Sequence, residues 1–95
     1  MLQYKYKKER QGYQMKLVND LVNIDFAIPD RIQKILNIID KYAAEFKNSE
    51  EMDIETWLQY DVLLQELDIV SKKYLNSGVL KSDQRNRLLK KYNAW

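Results

Sequence analysis

From Asp53 to Tyr74 the chain reads DIETWLQYDVLLQELDIVSKKY, with apolar Tyr60, Leu63, Leu67, Val70 and Tyr74 at alternating steps of three and four. That spacing puts them on one stripe of a helix, and Trp57 and Leu64 widen it. Asp53 stands where an N-cap is needed, and Glu55 adds negative charge to the first turn. Lys72 and Lys73 fall in the last turn, and Gly78 follows as a stop signal. A helix of about twenty-two residues spans roughly 33 Å, so the pattern predicts one long element around which the rest is organised.

Upstream, Ile28-Pro29-Asp30 marks a break and a new start, because proline disfavours helix in the residue before it and suits a helix's first turn. Ile32, Ile35, Leu36, Ile39, Ala43 and Phe46 then form a wide helical stripe, with Lys34, Asp40, Lys41 and Glu45 away from it. A polar loop, Asn48-Ser49-Glu50-Glu51, closes that element.

Before the proline, Leu17, Val18, Leu21, Val22 and Ile24 suggest a helical face that Tyr6 and Tyr13 extend if Gly12 is tolerated. Leu2, Tyr4 and Tyr6 alternate as in a strand, but no second strand-like run exists to pair with them. Downstream, Val79 and Leu80 are expected to fold back onto the core. Ser82 reads as an N-cap for a short last helix with Leu88, Leu89 and Tyr92 on its apolar side. The expectation is therefore an all-α fold, a small bundle of four helices (13–26, 30–47, 53–75 and 82–92) around one long central helix. Residues 1–12 form a basic, tyrosine-containing arm or the frayed start of the first helix, and 13–95 a single helical domain. The helix, turn, GVLKSDQ and second helix resemble the short hairpins of SHOCT-type C-terminal domains over about twenty residues; the resemblance implies a helical hairpin and no activity.

Composition removes most catalytic chemistry. The 95 residues contain no cysteine and no histidine, so disulfides, thiol chemistry, an imidazole base and serine or cysteine triads are excluded. Two glycines, Gly12 and Gly78, cannot build a phosphate-binding loop or a dinucleotide fingerprint. Asp61 and Asp68 lie seven apart on one side of the long helix, and a metal site there would need Asp20 or Asp40 to converge on them. The reading is a non-enzymatic protein, with no cofactor and no small-molecule substrate. No apolar run approaches a membrane span and no secretory signal is evident, so no membrane association and a cytoplasmic location are expected.

The net charge of +2 conceals segregation. Residues 1–11 carry 4 − 1 = +3, residues 47–69 carry 1 − 7 = −6, and residues 70–95 carry 7 − 1 = +6. Two binding readings follow. In the first, Leu58, Val62 and Ile69 form a second apolar strip beside the acidic Asp61, Glu66 and Asp68, and Trp95 serves as an aromatic anchor, for a protein partner or self-association as a homodimer. The same strip could equally be buried on a second side of the helix. In the alternative, Gln84, Arg85, Arg87, Lys90 and Lys91 of the last helix, with the N-terminal Lys5, Lys7, Lys8 and Arg10, contact nucleic acid. The first reading is preferred, because a helix-turn-helix register would bury Gln84 and Arg87. Abundant Asn, Ile, Lys and Tyr, small size and missing catalytic parts suit a regulator or inhibitor, an accessory protein of a bacterium, phage or mobile element.

Overall fold

The computed structural model describes residues 17–47 and 49–93. Within them the backbone forms three α-helices, α1 (Asp30–Glu45), α2 (Ile54–Asn76) and α3 (Ser82–Lys91), with a 3-10 turn at Ser49–Glu51 and no strand. The expected bundle of four helices is thereby corrected to three. Residues 13–16 of the anticipated first helix, the arm 1–12 and Trp95 lie outside the described residues.

What replaces the first helix is instructive. Residues 17–29 run as bends, a turn and irregular backbone, because their polar groups bond elsewhere. The Leu21 amide donates to the Asn19 side chain at 3.0 Å, and the Asn19 amide donates to the Lys91 carbonyl at 2.6 Å. Lys91 Nζ donates to the Val22 carbonyl at 2.9 Å, and Asn93 Nδ2 to the Leu17 carbonyl at 3.1 Å. The end of α3 thus takes up carbonyls that a helix would have bonded internally. Asn19, Asp20, Asn23 and Asp25 favour such an outcome, since short polar side chains compete with the helical ladder. Val22, Ile24, Phe26 and Ile28 are half-buried while Asn23, Asp25 and Ala27 are exposed, a period of two rather than 3.6. Leu21, expected on the buried face, is 93% exposed.

The other boundaries follow local chemistry. Pro29 occupies the N-cap of α1 in extended geometry, and the Gln33 amide donates to its carbonyl at 2.9 Å. Asp53 caps α2 by accepting the Thr56 amide at 2.7 Å, and hydrogen bonds from the Thr56 side chain and then from its amide hold its carboxyl below the usual carboxylate range. Gly78, at φ +84°, ends α2: its amide donates to the Leu75 carbonyl at 3.1 Å and that of Val79 to the Tyr74 carbonyl at 2.9 Å. This double closure is the Schellman arrangement, which needs a left-handed residue at that point. Ser82 is not the N-cap of α3 but its first helical residue; Lys81 holds the cap, and its amide donates to Gln84 Oε1 at 2.9 Å.

Both α1 and α3 pack against α2. Ile32, Ile35, Leu36 and Ile39 from α1 meet Tyr60, Leu67 and Val70 from α2 and Leu88 and Leu89 from α3, with Leu17, Met52, Leu80 and Tyr92 completing the core. Leu80 folds back as expected, whereas Val79 is exposed. Where the three helices converge, Tyr42 and Tyr60 rings lie 5.4 Å apart, and the Tyr92 hydroxyl hydrogen-bonds to Asp40. No helix among the described residues is long and apolar enough to cross a membrane.

Candidate functional site

α2 is apolar on two sides. Leu67 and Val70 are 0% and 3% exposed in the core. Ile54, Leu58, Val62 and Ile69 are 46%, 47%, 58% and 56% exposed. At about 100° per residue the second set is centred roughly half a turn from the first, so it runs along the outward face of the helix. The strip is about 22 Å long at 1.5 Å per residue. The ambiguity over Leu58, Val62 and Ile69 therefore resolves as exposure to solvent, and Ile54 extends their row. Its signal was present in the sequence as a regular i, i+4 row 54–58–62.

Acidic residues border the strip. Between Ile54 and Ile69 the chain carries Glu55, Asp61, Glu66 and Asp68 and no lysine or arginine. Glu55, Glu66 and Asp68 are exposed and Asp61 half-buried. Asp61 accepts a hydrogen bond from the neutral Gln65 Nε2 at 2.8 Å and is in no ion pair among the described residues. Asp68 is ion-paired with Arg85 of α3. Lys72 and Lys73 follow at the C-terminal end, both exposed.

The basic residues of α3 are arranged differently. Arg85 also donates from Nε to Ser71 Oγ at 3.1 Å and from a terminal nitrogen to the Asp68 carbonyl at 3.2 Å. Its side chain is mostly buried between two helices. Arg87 pairs with Asp25 at 2.9 Å, and Lys91 holds the segment around Val22. Gln84 is half-buried at the α3 cap. Of the α3 residues considered for nucleic acid, Lys90 alone is exposed without a bond described here, while Lys5, Lys7, Lys8 and Arg10 lie outside the described residues. No local pattern marks Arg85 as a structural cross-link; the clue, Ser71 as a polar position inside the core stripe, becomes visible only in three dimensions.

Carboxylates do not gather into a metal centre: among the described residues no group of three or more is placed to hold an ion. Asp40, considered a possible ligand beside Asp61 and Asp68, instead bonds Tyr92, and burial raises its carboxyl above the ordinary value against the opposing pull of Lys91. No family model, curated protein or solved structure matches the chain.

Proposed function

We propose that this is a small non-enzymatic, cytoplasmic protein-binding module, a regulator or inhibitor that acts through the outward face of α2. The observation that carries the reading is the row Ile54, Leu58, Val62 and Ile69, four large apolar side chains left in solvent along one line. Scattered exposed apolar residues are ordinary, but a row on one helix face, broken only at Gln65 and bordered by charge, is the form of a helix-docking surface. The absence of cysteine suits a reducing compartment. Nucleic-acid binding has weaker support, because Arg85, Arg87 and Lys91 are engaged within the fold.

The test is site-directed photo-crosslinking. A photoreactive residue at Val62, and in a second protein at the exposed Lys34 on α1, is activated in lysate. Protein adducts that form from Val62 and not from Lys34 support the reading; equal or absent adducts at Val62 count against it.

A further inference from the structure

Resting on that reading, we propose that the occupant of the α2 outer face is an amphipathic helix of another protein with basic residues flanking its apolar stripe. Shape comes first. Ile54, Leu58 and Val62 form a ridge at four-residue spacing that continues past Gln65 to Ile69, and such a ridge fits the groove of a second helix laid alongside it. Among the described residues there is no strand edge to which an extended peptide could add.

Charge then selects among helices. The strip and its borders hold four carboxylates and no base from 54 to 69. Arg85 neutralises Asp68, leaving 4 − 1 = 3 negative charges around an apolar line. A second copy of this chain would bring the same carboxylates against themselves wherever the two strips overlap, which opposes self-pairing. A helix with Lys or Arg on both sides of its apolar stripe meets each of Glu55, Asp61 and Glu66 with opposite charge. Residues 1–16 carry Lys5, Lys7, Lys8, Arg10 and Lys16 against Glu9, 5 − 1 = +4, so the chain's own N-terminal segment is the natural competitor to include.

The full-length protein is titrated with three fluorescent peptides of about sixteen residues: an amphipathic helix with leucines on one stripe and lysine or arginine flanks, the same stripe with glutamate flanks, and residues 1–16 of this chain. The basic amphipathic peptide is expected to bind at least about tenfold more tightly than either of the others and to weaken at high salt. The triple change Glu55→Lys, Asp61→Lys and Glu66→Lys should reverse the preference toward the glutamate peptide; all three side chains lie outside the core, so helix content by circular dichroism reports whether folding is intact. Equal binding of the two flank types, preferential binding of residues 1–16, or dimerisation lost on Leu58→Ser with Val62→Ser would each overturn the proposal. Failure of the peptides with the Val62 adducts intact would reject the basic-helix chemistry while leaving the docking face standing; loss of both would remove the face itself.

Discussion

Arg85 of α3 donates from Nε to Ser71 Oγ of α2 at 3.1 Å, and Ser71 is fully buried. Ser71 Oγ in turn donates to the Asp68 carbonyl at 3.0 Å, and Asp68 pairs with Arg85. Three polar groups thus close a circuit where two helices cross. The acidic middle and the basic end of the chain attract one another here, inside the fold.

Replacing Arg85 with Met should lower the free energy of unfolding by about 1.5–3 kcal/mol, the range for hydrogen bonds to charged groups, with part of the loss offset by the retained aliphatic contact. Urea titration of both proteins measures it, and an unchanged denaturant slope would locate the effect in stability alone.

Gly78 has open space around its missing side chain but a φ of +84°. Gly78→Ala should therefore cost about 1 kcal/mol from backbone strain without any clash. Gly78→Asn should cost less, because asparagine tolerates that region. Thermal melts of the two variants against the parent order the three proteins.

Asp53 accepts the Thr56 amide, and its pKa lies below 3.8 in the folded state. An acid whose folded pKa is depressed contributes stability that is present above the unfolded value and lost as pH falls through the folded one. Asp53→Ala should lower the melting temperature at neutral pH, and the gap between the two proteins should close below pH 3.8.

Tyr92 behaves in the opposite range. Burial, then the Asp40 carboxylate and its hydrogen bond, push the phenol from 10.0 up to about 12. With the folded pKa raised, its contribution is intact below pH 10.0 and disappears as pH rises toward about 12. Tyr92→Phe should resist alkaline unfolding across that window, although it loses the bond to Asp40 at neutral pH. Circular dichroism against pH distinguishes the two proteins.

Val62→Ser and Ile69→Ser should each change stability by less than about 0.5 kcal/mol, as expected of surface sites. Leu67→Ala, on the opposite side of the same helix, should cost about 2–5 kcal/mol. A large loss at Val62 or Ile69 would show that the strip is structural.

The long helix, the α1 stripe and the α2 turn at Gly78 were legible in the sequence because each rests on local rules: a 3.6-residue period, a proline start and a glycine stop. The segment before Pro29 was misread for a physical reason. Its apolar residues satisfy a helical pattern at 17, 18, 21 and 22 and an alternating one at 22, 24, 26 and 28, and local spacing does not choose between them. The choice is made by Lys91 and Asn93, more than sixty residues away, which bond the backbone carbonyls there. The strip on α2 was visible as a second row of apolar positions. Whether that second row was also buried was not, because helical spacing alone does not say how many sides of a helix are covered; Ser71, buried with the first row, marks the inward side only once its partner Arg85 is seen.

The clasp between Leu17 and Asn93 also has a consequence for how the fold can be wired. It brings the two ends of the 17–93 segment together, the Asn93 side-chain nitrogen Nδ2 lying 3.1 Å from the Leu17 carbonyl oxygen. A domain with adjoining entry and exit can be spliced into a surface loop of a host protein without stretching it, or circularly permuted by a short linker, with its helices in the same places.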